Sequence, residues 1–470
     1  MHGPAGSDRL PVPASARAEV DRRRVAPPDP ARSVALDVMA AARERDAYVN
    51  LLLPALLGER GLGARDAAFA TELAHGTIRM QGCYDAVLAA VVDRPLTTLE
   101  PAVLDVLRLG CHQLFSLRTP AHAAVSTSVD LVRRRVGARA VSFVNAVLRR
   151  VSARDLARWV ADVAPAAATD PLGHLAVVHS HPRWIVEAMN DALAGDIAAT
   201  AALLGADNVP APVTLVARPG LVDVAELLRH GGGTVGSLSP YAVRLAGGDP
   251  AGLAPVRDGR AGVQDEGSQV VALAAAAASV EGRDARWLDL CAGPGGKAAL
   301  LAALGRPRGA QVLANEVAPH RARLVAAALR RLPGAVVVGD GTRPAWPADT
   351  FDRVLVDAPC TGLGALRRRP EARWRRSPSD LPGLVALQRA LLDGALDSVR
   401  PGGLVAYATC SPHLAETTQL LAPVVAGGDV EVLDAPAAAP NIPDQRGPYL
   451  QLWPHSHGTD AMFLALLRKR

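Results

Sequence analysis

The sequence predicts a multidomain protein: an all-α N-terminal domain, a small α+β linker module, and an α/β domain built on a doubly wound, mostly parallel sheet. Three observations predict it. At 470 residues the chain exceeds one ordinary core. Up to about residue 165, apolar residues recur at intervals of three and four, as in Val103, Leu104, Val106, Leu107 and Leu109. From about Val263 onward, strand-like and helical segments alternate.

Residues 1–30 are rich in Pro, Ala and Arg with no apolar period and read as a disordered basic tail. In the all-α domain, 31–165, helices are expected near 31–45, 47–58, 64–77, 81–92, 98–115, 121–136 and 138–151. Between 166 and 262 the chain is punctuated by Pro171, His181-Pro182, Pro210, Pro212 and Gly231-Gly232-Gly233. A strand-like Val213–Ala217 and a helical Val222–Arg229 make this a linker with a small α+β module. In 263–470, strands are expected at 286–290, 310–315, 334–339, 352–357, 403–409, 429–434 and 462–467. Helices are expected at 267–280, 296–305, 318–331, 383–399 and 414–426. In such sheets ligands bind beyond the carboxyl ends of the strands.

A hydrophobic content of 49% with 21% charged residues is that of a globular protein, and no apolar run has the length of a membrane span. The first thirty residues lack the apolar stretch of a signal peptide, so a cytoplasmic location is expected. Cys83, Cys111, Cys291, Cys360 and Cys410 show no metal-type spacing, so free thiols and no bound metal are expected. The net charge of +5 favours a polyanionic partner. Of 51 basic residues only Lys297 and Lys469 are lysine. Against that background, a lysine inside a glycine turn is a chemical requirement, because an ammonium and a guanidinium are not interchangeable in a tight pocket.

The turn after the strand at 286–290 reads Ala292-Gly293-Pro294-Gly295-Gly296-Lys297, where glycines let the backbone approach a ligand closely. Gly293, Gly295 and Ala298 also fit a loose dinucleotide fingerprint, a weak signal by itself. Two acids at successive strand ends shift the balance. Glu316 is placed to bind ribose hydroxyls, and Asp340, in Gly339-Asp340-Gly341, to accept from an adenine amino group. Asp289 beside the turn would repel a pyrophosphate but suits the ammonium and sulfonium of S-adenosylmethionine, which is therefore the expected cofactor.

Cys360 and Cys410 both leave strands at the ligand-binding edge, whereas Cys83 and Cys111 fall on apolar helix faces and Cys291 packs under the turn. Two thiols beside a methyl donor suggest attack on an electron-poor ring. A thiolate adding to carbon-6 of cytosine makes carbon-5 nucleophilic towards the donor methyl, and loss of the carbon-5 proton then expels the thiolate. Asp357 is placed to accept from the cytosine amino group. The residues alone leave open which thiol attacks.

At these positions the chain resembles the bacterial rRNA cytosine carbon-5 methyltransferases of the RsmB/Sun family. The matching blocks are Val263–Gln269, Leu288–Lys297, Gly339–Gly341, Phe351–Cys360 and Tyr407–Ser411. Arg65-Asp66, Gly76–Arg79 and Phe143–Arg149 resemble that family's NusB-like RNA-binding domain, and His181–Trp184 resembles its step into the linker. The resemblance implies a Rossmann-like methyltransferase domain. It implies Cys410 as nucleophile and Cys360 as the thiol that assists proton removal and product release. Asp357 and Lys297 would line the site, and the cofactor would meet Asp289, Cys291, Ala292, Gly293, Pro294, Gly295, Gly296, Lys297, Glu316, Arg321, Asp340, Gly341 and Asp357. It further implies a monomer acting on 16S rRNA before subunit assembly is complete. The family pattern Glu-Asn reads Glu416-Thr417 here, and its Gly-Asp-Gly-Phe-Phe reads Thr459–Phe463.

The run Leu366–Arg376 follows the Cys360 loop directly, so Arg367, Arg368, Arg369 and Arg373 are expected to pair RNA phosphates and Trp374 to stack on a base. The rival readings are the same chemistry on tRNA or another RNA, a non-catalytic NusB-like RNA-binding factor, and a nicotinamide oxidoreductase. Asp289 disfavours the last.

Overall fold

The computed structural model describes residues 29–45, 48–117 and 119–470. The chain divides into two compact units, one ending at Val163 and one spanning Ala164–Arg470. All but the last two residues of the expected basic tail lie outside the described residues.

The first unit is helical: α1 (Pro30–Glu44), α2 (Val49–Glu59), α3 (Ala64–Arg79), α4 (Gln81–Val91), α5 (Pro101–Phe115), α6 (Ala121–Arg135), α7 (Val141–Val151) and α8 (Leu156–Val163). Proline begins α1 and α5, where a missing N–H costs nothing, and Asp29 caps α1 by accepting the Arg32 amide at 3.0 Å. Leu36, Leu73, Leu88, Leu107 and Leu148 are fully buried and form the interior. Cys83 and Cys111 lie among them as small apolar residues, and burial pushes the Cys83 thiol up to about 11.

The second unit opens with α9 (Pro171–Val178), α10 (Arg183–Ala192) and α11 (Ile197–Asp207). A four-stranded antiparallel sheet follows, built from β1 (Thr214–Ala217), β2 (Thr234–Val235), β3 (Ala242–Arg244) and β4 (Ala261–Val263), with α12 (Val224–Gly231) between β1 and β2.

The remaining elements are α13 (Glu266–Ala277), β5 (Arg286–Asp289), α14 (Gly296–Gly305), β6 (Gln311–Glu316), α15 (Pro319–Leu329), β7 (Gly334–Val338), β8 (Phe351–Asp357), α16 (Leu381–Ser398), β9 (Val399–Thr409), α17 (Thr418–Ala426), β10 (Val430–Leu433), β11 (Leu450–Gln451) and β12 (Phe463–Lys469). They form an eight-stranded sheet in the order β10–β12–β9–β8–β5–β6–β7, with β11 paired to β12. The strands from β9 to β7 are parallel, and β12 runs antiparallel to both its neighbours.

Strand side chains alternate between two apolar layers. Trp287, Val312, Leu355 and Ala406 meet Val271, Leu300 and Val325 of α13, α14 and α15 on one face. Leu288, Val354, Val356, Val405 and Tyr407 meet Leu391 of α16 and Leu421 of α17 on the other. Burial on both faces explains the unbroken apolar run of β8. From β5 the chain moves to β6 and β7 on one side, then returns to place β8 and β9 on the other. The strand order therefore reverses between β5 and β8, the position at whose carboxyl ends sheets of this kind bind ligands.

Candidate active site

The carboxyl ends of β5, β6, β7, β8 and β9 each deliver an expected residue: Asp289, Glu316, Asp340, Asp357 and Cys410 in turn. Gly295, at φ +107°, caps α14 in a left-handed conformation, and a Cβ there would lie 2.9 Å from Val325 Cα and Ala328 Cβ. Gly293 approaches Glu316 and Arg321 so closely that a Cβ would collide with both. Its N–H donates to Glu316 Oε2 at 2.9 Å, its carbonyl accepts from Arg321 Nη2 at 2.6 Å, and Glu316 Oε1 accepts the Ala318 amide at 3.0 Å. The glycine turn and the end of β6 are thus locked together, with Glu316 buried.

Asp289 is fully buried, and no side chain hydrogen bonds to its carboxylate; the Cys291 amide is the backbone group that faces it. Desolvation, reinforced by the negative charge of Asp357 and opposed by Lys297, raises its pKa to about 7. Cys291 is half-buried against the apolar layer that contains Leu288, and burial holds its thiol far above the usual range. Ala292 is buried, Pro294 exposed, and Gly296 begins α14. Asp340 is exposed, and its Oδ1 accepts from the amide and hydroxyl of Thr342 at 2.9 and 2.7 Å, which lowers its pKa. Gly341 packs where a Cβ would lie 2.9 Å from Leu391 Cδ2.

Lys297, in the first turn of α14, places Nζ 2.7 Å from Asp357 Oδ2. Burial opposes its charge, but the Asp357 carboxylate outweighs burial and the pKa rises. The Cys360 and Cys410 sulfurs lie 3.4 Å apart, and both residues are half-buried. The hydrogen bond between the two thiols lowers the Cys410 pKa against burial and the negative charge of Asp357, with Arg369 and Lys297 adding to the effect. The same bond and burial drive Cys360 well above the ordinary thiol value. Gly364 clamps the two loops: its N–H donates to Cys410 O at 2.9 Å, and its carbonyl accepts the Ala461 amide at 2.8 Å.

The expectation for the arginine run is corrected at Arg367 and Arg373, which are buried, while Arg368 is paired within the chain. Arg373 is fully buried and donates to Ser180 O, Asn208 Oδ1 and Asp207 O at 3.2, 2.7 and 2.8 Å. Arg367 is buried, donates to Gly458 O at 3.1 Å and lies 3.5 Å from Asp460 Oδ1. Arg368 bridges Asp265 at 2.5 Å and Asp460 at 3.1 Å. These guanidinium groups tie the thiol loop to distant segments of its own chain. Arg369 is exposed and Trp374 half-buried. Arg373→Ala is accordingly expected to lower unfolding free energy by about 3 kcal/mol, since it strips partners from buried acceptors. A urea titration checks this, and unchanged stability would refute the packing account.

Sequence reasoning missed three site residues. Asn315 Nδ2 donates to Leu290 O at 2.9 Å and Gly339 O at 3.1 Å, joining the exits of β5 and β7 through β6. A polar residue inside an apolar strand, just before Glu316, was its available signal. Glu416 and Gln388 lie behind the thiols: Gln388 Nε2 donates to Pro359 O and to Glu416 Oε1, each at 2.9 Å. Among the described residues no group of three or more His, Cys, Asp or Glu could hold a metal ion, and no helix is long and apolar enough to cross a membrane.

Comparison with known proteins supports the same assignment. The family described as 16S rRNA methyltransferase RsmB/F matches residues 278–468, and the NusB family matches residues 29–153. A putative methyltransferase of Mycobacterium tuberculosis (strain H37Rv) is 54% identical over 96% of this chain and 99% of its own length. A probable ribosomal RNA small subunit methyltransferase B of Bacillus subtilis is 30% identical over 93% of this chain and 98% of its own. In fold, the crystal structure of PH0851 superposes with a TM-score of 0.78 at 20% identity, covering 94% of this chain and 99% of that one. A methyltransferase homolog protein from Pyrococcus horikoshii gives a TM-score of 0.51 at 21% identity, covering 63% and 98%. With relatives matched along nearly its whole length, the chain belongs to the 16S rRNA methyltransferase RsmB/F family, in which a NusB-family helical region precedes an S-adenosylmethionine-dependent methyltransferase domain of Rossmann-like fold.

Proposed function

We propose that the protein methylates carbon-5 of a cytosine in small-subunit rRNA through a transient bond between Cys410 and carbon-6. The observation that carries this reading is the pair of sulfurs 3.4 Å apart beside the Lys297–Asp357 pair. The residues present fit S-adenosylmethionine. Asp289 has a buried carboxylate to which no side chain hydrogen bonds, suited to a cationic group. Glu316 has lone pairs left for ribose hydroxyls after accepting two amides, and Asp340 has an oxygen left for an amino group. The cofactor supplies the methyl group.

Cys410, its thiolate favoured by the Cys360 S–H, adds to carbon-6, and the ring electrons move to carbon-5. Asp357, held at one oxygen by Lys297, accepts from the cytosine amino group with the other. After methylation the carbon-5 proton leaves to solvent at the rim. The double bond re-forms and the carbon–sulfur bond breaks, with the Cys360 S–H hydrogen bonding to the departing thiolate.

An RNA substrate is supported by the NusB-family region and by the exposed Arg369 beside the thiols. The base must be unpaired or extruded to reach sulfur, which favours rRNA not yet packed into a complete subunit. We place this activity in a monomer in the cytoplasm, with the helical domain, 31–165, and the linker module, 166–262, serving to deliver RNA to the domain at 263–470. Bisulfite sequencing of RNA from cells with and without the protein tests the reading. One 16S cytosine losing its methyl group is expected; an unchanged 16S map, or a loss confined to tRNA, would overturn it.

A further inference from the structure

Glu416 is fully buried in the turn Leu414–Glu416, six residues beyond Cys410. Its Oε1 accepts from the Thr361 amide at 2.8 Å and from Gln388 Nε2 at 2.9 Å, and its Oε2 accepts from the Thr361 hydroxyl. With the Thr361 proton so committed, the Ser411 hydroxyl is the donor in its 3.0 Å bond to Thr361 Oγ1. Gln388 also holds Pro359 O, and the Tyr407 hydroxyl donates to Glu416 O at 3.0 Å. Both neighbours of Cys360, and the residue after Cys410, therefore hang on one carboxylate. Every group directed at that carboxylate is a donor, so the acceptor-only side chain is required; an amide would set N–H against N–H.

The charges around the pair are arranged unequally. Lys297 of α14 and Arg369 favour negative charge on Cys410; Asp357 of β8 opposes it on both thiols, and Glu416 opposes it on Cys360; Tyr407, on β9, faces Cys360 and Glu416, and His413 faces Glu416. We propose that Glu416 is the positioning residue that divides the labour between the two thiols, holding Cys360 as the S–H donor so that Cys410 carries the negative charge. This rests on the two-thiol reading above.

The test is alkylation of the full-length protein by iodoacetamide across a pH series, with modification of Cys360 and Cys410 followed separately by mass spectrometry. Glu416→Gln is expected to lower the Cys360 midpoint by about one pH unit, roughly tenfold more thiolate at a given pH. Glu416→Asp, which keeps the charge, is expected to restore most of that shift. Gln388→Met, which leaves Glu416 in place but frees Pro359, is expected to raise Cys360 alkylation severalfold at fixed pH. It serves should Glu416→Gln fail to fold. Wild-type midpoints in a folded Glu416→Gln, or an unchanged Cys360 rate in Gln388→Met, would overturn the proposal.

Incubation of wild type with RNA carrying 5-fluorocytosine separates the two claims. A Cys410 adduct with an unshifted Cys360 midpoint rejects the role of Glu416 alone. A shifted midpoint without any adduct rejects the covalent reading and leaves Glu416 in control of the thiols.

Discussion

Cys410→Ala is expected to lower methyl transfer by at least ~10³-fold and to abolish the covalent adduct with 5-fluorocytosine RNA. The size follows from the substrate. Carbon-5 of cytosine is a poor nucleophile until a group adds at carbon-6, and the protein offers a thiol with a lowered pKa for that purpose. Cys410 is small and partly exposed, so its loss should leave thermal stability near wild type. Measuring turnover, adduct and melting together distinguishes lost chemistry from lost fold. An adduct that persists, now on Cys360, would reassign the nucleophile.

Cys360→Ala should behave in the opposite way. Addition of Cys410 to the ring still proceeds, but the departing thiolate has lost the S–H that lies 3.4 Å away. Release is expected to slow by ~10²-fold, the scale of one hydrogen bond to a charged group. Protein should then accumulate as a covalent complex with ordinary, unfluorinated RNA, visible as a slow-migrating band in a denaturing gel. Normal release by this variant would remove Cys360 from the second half of the cycle.

Much of the fold was legible because its signals are local. Helix and strand periods place most elements of the large sheet within a few residues, and β9 differs because it starts at Val399, which pairs with Phe351 ahead of a register shift. The helices α9, α10 and α11 were not read. Pro171 and Pro182 look like breakers, yet Pro171 opens α9 and Pro182 immediately precedes α10, and Asp170 caps the former by accepting the Gly173 amide at 3.0 Å. The short α8 buries only Trp159 and gives little period to detect.

The site divides along the same line. Residues at strand ends were legible, because the alternation of strands and helices fixes which edge they share. Residues whose meaning depends on distant partners were not. Arg368 meets Asp265 and Asp460, each about a hundred positions away, so a run that reads as a charged face is an internal brace. Glu416 was noted only because the family's Glu-Asn is broken beside it at Thr417, since Thr361 and Gln388 reach it solely through the fold.

The antiparallel strand β12 is wedged between β9 and β10, although both precede it in the chain. Phe463 pairs with Thr409, the residue just before the reactive sulfur, and Ala461 is bonded to Gly364. During synthesis, then, the thiol-bearing strand emerges with one flank open and must wait for a late insertion across a long loop, a slow kind of step. A ribosome-bound chain that has exposed Cys410 but not yet β12 lacks the partner that flanks the thiol-bearing strand, so its site is incomplete until β12 pairs with β9.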